Sequence, residues 1–255
     1  MPLQSFKAEV SAVRDLTYDV REITLRLRDP ATIAFKAGQF ISFEIHQEGM
    51  KFPLTRPYSI ASPPSRQDNL DLLFNLVRGG PGSTYLFSLR EGDVTEFKGP
   101  AGAFYLHEDL GRDYLFVATG TGIAPFRPMW QTLFERNTSS AVTLFWGVRS
   151  QRDLYYQDEL EALARAHPNF QYVMTLSRPT EGWTGKTGRV TRLVEERIPS
   201  VKNLAVYLCG NSGMLKDVTE VVRKKGLCPI YREKFYDDPP TQDSIEPRGH
   251  QGSAR

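Results

Sequence analysis

Ile23, Leu25 and Leu27 alternate with polar neighbours, and Phe43 and Ile45 keep the same two-residue period. Such alternation turns every second side chain to one face, so this half of the chain reads as half-buried strands. Asp29-Pro30, Ala37-Gly38, Ser62-Pro63-Pro64 and Gly79-Gly80-Pro81-Gly82 punctuate it as turns. Several short strands between turns predict an antiparallel barrel. One helix is expected within it, with Ser83 as N-cap, Tyr85, Leu86 and Leu89 on an apolar face, and Gly92 at its end.

The period then changes. Tyr114 to Ala118, Val142 to Trp146, Tyr172 to Leu176 and Leu204 to Cys209 are short apolar runs. Between or after them come helix-like stretches: one to about Arg136, one over Leu154 to Arg165 with Leu160, Leu163 and Ala164 on a face, and a stripe of Met214, Leu215, Val218, Val221 and Val222. Strands that alternate with helices predict a parallel sheet covered on both faces. The expected fold class is therefore all-β plus α/β, with the boundary near Leu110-Gly111-Arg112. That gives a barrel over 1–109 and an α/β domain over 110–236. Asp237 to Arg255 holds three prolines and almost no apolar side chain, so a disordered tail is expected over 237–255.

The 255 residues suit two domains at about 150 residues each. A net charge of +2 argues against a strongly cationic nucleic-acid binder. No apolar run approaches the ~18 residues of a membrane span, and Met1 to Val10 lacks a basic-then-apolar signal pattern. Cys209 and Cys228 are the only cysteines. Two cannot make a disulfide framework or a four-cysteine metal centre, and a reducing, cytoplasmic setting is expected. His46, His107, His167 and His250 have no metal-ligand spacing, and no metal is expected.

Four motifs carry the candidate chemistry. Gly120-Thr121-Gly122-Ile123-Ala124-Pro125 follows an apolar strand and opens a helix. Glycines at such a turn admit a pyrophosphate to the helix N-terminus, or else simply end a core strand. Arg56-Pro57-Tyr58-Ser59 lies in the β half. Its period places Arg56 and Tyr58 on one face, where an arginine fork can hold a diphosphate and a tyrosine can stack on a flat ring. The bland alternative is an edge strand with a surface arginine. Gly79-Gly80-Pro81-Gly82-Ser83-Thr84 is either a second phosphate-holding helix start or a flexible connection with a cap. Tyr207-Leu208-Cys209-Gly210-Asn211 ends a strand at a cysteine, where open α/β sheets bind ligands. A small buried core thiol is the alternative there.

Together, and in this order, the motifs resemble those of the ferredoxin–NADP⁺ reductase family from about Phe6 to Tyr236. The resemblance implies an FAD-binding barrel and a pyridine-nucleotide-binding α/β domain. It implies that Arg56, Pro57, Tyr58 and Ser59 form the flavin motif. Gly82, Ser83 and Thr84 would form the second diphosphate contact, and Gly120, Thr121, Gly122 and Gly210 the nicotinamide-side turns. Cys209 matches the cysteine beside the nicotinamide. Glu233 and Phe235 fit an acidic-x-aromatic pattern near the family's C-terminal end. Ser59, Cys209, Glu233 and Phe235 are then the residues at the reacting rings. In relatives that aromatic can cover the flavin; here the chain runs on past Tyr236 to Arg255.

An NAD site would set an acidic residue after the second strand of the α/β domain. This chain has Arg149 there, and Ser177 and Arg178 after the third strand. The pair matches the one that holds the 2′-phosphate in NADPH-using relatives, with Lys186 and Arg189 close by in sequence. The expected cofactors are FAD and NADP, with NAD as the alternative. The expected partner is ferredoxin or flavodoxin, for a monomer or weak dimer without nucleic acid or membrane. The alternatives are an NADH-dependent reductase component of a multicomponent oxygenase and an electron-transfer subunit of a larger complex.

Overall fold

The structure, a computed structural model, describes residues 3–47, 49, 51–107 and 111–236. Leu110 of the expected boundary and the expected tail over 237–255 lie outside the described residues, as does His250.

The first half forms β1 (Gln4–Asp15), β2 (Val20–Asp29), β3 (Phe40–Ile45), β4 (Leu54–Ser59), β5 (Asn69–Asn75), α1 (Pro81–Ser88) and β6 (Val94–Ala101). The strands make one sheet, ordered β4-β3-β6-β1-β2-β5, in which all pairings are antiparallel. An antiparallel bridge from Ile60 to Leu72 joins its two edges, and this closure produces the expected barrel. Ile23, Leu25, Leu27, Phe43 and Ile45 all point into its core.

The second half forms β7 (Asp113–Thr119), α2 (Phe126–Glu135), β8 (Val142–Val148), α3 (Gln157–Ala166), β9 (Phe170–Leu176), β10 (Lys186–Thr187), α4 (Val190–Arg197), β11 (Leu204–Asn211), α5 (Ser212–Lys224) and β12 (Ile230–Tyr236). Its strands make a parallel sheet ordered β10-β9-β8-β7-β11-β12. The chain starts at β7, winds outward through β10, and returns to lay β11 against the free side of β7. The switch point between β7 and β11 is where ligands enter such sheets. Tyr114, Phe116 and Ala118 pack on α2, whereas Leu115 and Val117 pack on α4 and α5. Burial on both faces explains why β7 reads as an unbroken apolar run. Val20, Ala61 and Leu73 of the barrel share a core with the α2 face of this sheet.

Three expectations need correction. Gly80, not Ser83, is the N-cap of α1, because Pro81 occupies the first helical turn, where no amide donor is needed. Ser83 lies inside the helix, and its hydroxyl donates to the carbonyl oxygens of Val77 (3.3 Å) and Gly80 (3.1 Å). The helix ends at Ser88, so Gly92 belongs to the following turn, with φ +89°. The helix expected from Leu154 starts at Gln157, because Tyr156 adopts a left-handed φ of 56°. The elements β10, α4 and β12 have no counterpart in the strand and helix pattern read from the sequence. The first is two residues long, and the others carry many charges between their apolar positions.

Candidate active site

On the barrel, β4 presents Arg56 and Tyr58 to the start of α1. A Cβ built on Gly82 would stand 2.6 Å from the Tyr58 hydroxyl and 2.8 Å from Arg56 Cγ. The helix start therefore sits directly on these two side chains, and only glycine allows it. Tyr58 packs edge-on against Phe43 and Phe74, with ring centroids 5.9 and 5.8 Å away. Burial pushes its phenol up to about 12. Arg56 has no carboxylate partner among the described residues and donates to the Thr55 carbonyl at 2.9 Å. An uncommitted guanidinium, a tyrosine ring and the free amides of a helix start fit the diphosphate and ring of a flavin nucleotide. Thr84 is exposed at this helix start, Ser83 is buried, and Pro57 is exposed on the strand.

At the switch point, Gly120–Ile123 forms a tight 3₁₀ turn, and α2 begins only at Phe126, with Pro125 as its N-cap. The glycine motif thus opens a 3₁₀ turn, and the α-helix follows one step later. A side chain on Gly122 would collide with the Cys209 carbonyl, and one on Gly210 with the Thr119 hydroxyl. The two turns interlock backbone to backbone. Asn211 caps α5 by accepting from the Met214 amide at 2.7 Å. Its own amide donates to Thr119 Oγ1 at 3.3 Å. Thr121 reaches across to the barrel, donating to Asn75 Oδ1 at 3.1 Å. Glycine turns at the ends of parallel strands are the kind of backbone that can approach a nucleotide diphosphate. Thr119 and Asn75 escaped the sequence reading because each is a single polar residue outside the motifs.

Between the two cradles, Ser59, Cys209 and Glu233 come together. Parallel pairing sets Cys209 of β11 beside Glu233 of β12. Ser59 Oγ donates to Glu233 Oε2 at 3.4 Å. Burial pushes the Glu233 carboxyl up to about 7, partly opposed by the Ser59 hydrogen bond. Cys209 is fully buried, and burial, then the Glu233 charge, raises its thiol well above the usual range. The sulfur is therefore a neutral packing surface and not a thiolate nucleophile. Phe235 is half-buried against the core on the α2 side of the parallel sheet.

A cleft of about 520 Å³ opens beyond the ends of β8 and β9, lined in part by Arg149, Arg152, Asp153, Arg178 and Thr180. The Arg178 amide donates to the Arg149 carbonyl at 2.7 Å, which sets the two arginines side by side. Gln151 and Thr180 exchange two hydrogen bonds, of 3.0 and 2.9 Å, across the same loops. Ser177 adjoins the cleft, its hydroxyl donating to the Val148 carbonyl at 3.4 Å. Lys186 does not line the cleft; its carbonyl accepts from the Trp183 indole at 2.9 Å. Arg189 turns to Asp217 at 3.9 Å.

The two folded halves and their glycine cradles define an oxidoreductase that binds a flavin and a nicotinamide nucleotide. Residues 7–105 match the oxidoreductase FAD-binding domain family, and residues 116–220 match the oxidoreductase NAD-binding domain family. The chain is 34% identical over 226 residues to ferredoxin–NADP reductase B of Sorangium cellulosum, covering 86% of this chain and 92% of that protein. It is 31% identical over 241 residues to the phenol 2-monooxygenase reductase component DmpP of a Pseudomonas species, covering 92% of this chain and 67% of that one. Among solved structures, the Amycolatopsis cytochrome P450 reductase GcoB superposes with a TM-score of 0.83 at 31% identity, covering 92% of this chain and 71% of that chain. A Neisseria gonorrhoeae ferredoxin NADP⁺ reductase with bound FAD and NADP shares the fold, with a TM-score of 0.75 at 24% identity, over 92% of this chain and 99% of that one. The chain belongs to the ferredoxin–NADP⁺ reductase family and is a flavoprotein oxidoreductase. No helix among the described residues is long and apolar enough to cross a membrane.

Proposed function

We propose that this chain transfers electrons between NADPH and a one-electron carrier protein, ferredoxin or flavodoxin. The observation that carries the nucleotide choice is the cleft in which Arg149 and Arg178 stand side by side without a carboxylate partner among the described residues. Guanidinium forks suit a phosphate monoester and have no such partner on an unphosphorylated ribose.

A bound flavin would supply the chemistry, exchanging hydride with the nicotinamide and single electrons with the carrier. Arg56 and the start of α1 at Gly82, Ser83 and Thr84 hold the flavin diphosphate, and Pro57 and Tyr58 line its ring. The turns at Gly120, Thr121, Gly122 and Gly210 hold the nicotinamide-side diphosphate. Ser177 and Arg178, with Arg149, receive the 2′-phosphate, and Lys186 contributes charge from outside the cleft. Cys209, fully buried, supports the strand end beside the nicotinamide site from within the core. Glu233 and Ser59 hold a proton near the flavin at neutral pH, since the carboxyl titrates at about 7. Phe235 borders the ring site. The working units are residues 1–109 for the flavin and 110–236 for the nucleotide. A cytoplasmic monomer or weak dimer completes this reading.

An NADH-dependent reductase of a multicomponent oxygenase is the second reading, favoured by the likeness to the phenol 2-monooxygenase reductase component and the toluate 1,2-dioxygenase electron transfer component. Anaerobic titration with each nucleotide, followed at the visible flavin band, separates the two. The proposal expects NADPH to bleach the band much faster, and Arg178→Ala to raise the KM for NADPH more than that for NADH, by roughly tenfold. Equal rates with both nucleotides would favour the oxygenase reading. An equal rise in both KM values would remove Arg178 from the 2′-phosphate site.

A further inference from the structure

The cleft contains a third arginine that the sequence motifs do not point to, and its partner comes from the other sheet. Arg152 lies on the 3₁₀ turn Gln151–Asp153. Its guanidinium carbon sits 4.6 Å from the ring centroid of Tyr18, on the turn between β1 and β2 of the barrel. The Tyr18 hydroxyl donates to Asp153 Oδ1 at 3.1 Å. The other oxygen, Oδ2, accepts from the Ser150 amide at 2.8 Å and the Ser150 hydroxyl at 2.7 Å. The only carboxylate lining the cleft is thus engaged on both oxygens by neutral donors, and none of the three arginines has an ion-pair partner among the described residues. Three guanidiniums against one carboxylate leave a surplus of two positive charges, which matches a phosphate monoester dianion.

We propose that Arg152, positioned by Tyr18, is a further specificity-determining residue for the 2′-phosphate, so that the barrel takes part in nucleotide choice. The inference rests on the NADPH reading above and deepens it. A guanidinium stacked on a ring face keeps its N–H donors in its own plane, free for an anion. The stack also removes rotamers that a free arginine side chain would have to give up on binding. Thr17 holds the Tyr18 turn in shape: its hydroxyl donates to Asp19 at 3.0 Å and accepts from the Val20 amide at 3.0 Å. Tyr18 is 60% exposed and so serves the barrel core little.

The test is calorimetric binding of 2′,5′-ADP and 5′-AMP to the flavin-loaded protein, with no turnover involved. Wild type is expected to bind 2′,5′-ADP well above 5′-AMP. Arg152→Ala is expected to weaken 2′,5′-ADP by ~10-fold and 5′-AMP by less than ~2-fold. Tyr18→Leu should weaken 2′,5′-ADP by ~3-fold, and Tyr18→Phe, which keeps the ring, by less. Loss for Arg178→Ala with none for Arg152→Ala would overturn the inference and leave the NADPH reading standing. Equal weakening of both ligands by Arg152→Ala would also overturn it, since a general charge effect gives no discrimination. A wild type that binds the two ligands alike would overturn both.

Discussion

Glu233 shows how one residue can carry a measurable signature of the site. Its carboxyl is raised from 4.5 to about 7, chiefly because burial disfavours the charged form. A raised folded-state value means the native protein holds the proton more tightly than the unfolded chain. The stability this contributes is full below about 4.5 and is lost as the pH rises through about 7. Thermal unfolding followed from pH 5 to 8 should therefore show a falling stability that Glu233→Gln flattens. The flavin-reduction rate should show an ionisation near 7 that the same variant abolishes. A slope unchanged in the glutamine variant would place that titration elsewhere. The sequence named Ser59, Cys209 and Glu233 as a set through motif resemblance alone. Their contact could not be read from spacing, because 174 residues separate Ser59 from Glu233.

Among the elements, α1 shows where local rules succeed and where they slip. A candidate serine cap, apolar spacing and a closing glycine announced a helix, and it forms. The start moved to Pro81 because a proline in the first turn outranks a serine that finds backbone acceptors inside the helix. The start of the helix lies directly against Arg56 and Tyr58 of β4. Gly82→Ala must displace Arg56 or Tyr58, since its Cβ would lie within 2.8 Å of both. FAD titration of the apoprotein should show roughly tenfold weaker binding with the fold retained; unchanged affinity would detach α1 from the flavin cradle. The short β10 and the charged edge strand β12 lack a strong period, because an edge strand can leave one side to solvent. Tertiary pairing with β9 and β11, rather than their own pattern, makes them strands.

Across the whole molecule, the two sheets are joined by a charged cluster. Arg127 on α2 reaches Glu22 of β2 at 3.2 Å, Asp71 of β5 at 3.4 Å and Glu159 of α3 at 2.8 Å. Tyr156 donates its hydroxyl to Glu22, and its ring lies 5.0 Å from the guanidinium. Arg127 is 13% exposed, and Glu22 and Asp71 are 11% and 9% exposed. Glu22 keeps an ion pair with Arg14 at 2.9 Å and Asp71 keeps one with Arg66, so Arg127→Met should lower stability by about 1–3 kcal/mol in urea unfolding. A loss below ~1 kcal/mol would show that water already screens the cluster.

The sequence alone determined the class of each half, because periods of two and of alternating strand and helix follow from local backbone geometry. It also located the glycine turns, because glycine is required where one backbone must approach another, and that requirement is visible one residue at a time. Only the tertiary structure decided which charges meet. Arg127 with Glu22 and Asp71, Arg152 with Tyr18, and Ser59 with Glu233 are each brought together by the packing of distant elements. A charged side chain looks the same in sequence whether water or a partner surrounds it; burial distinguishes the two, and burial belongs to the assembled fold.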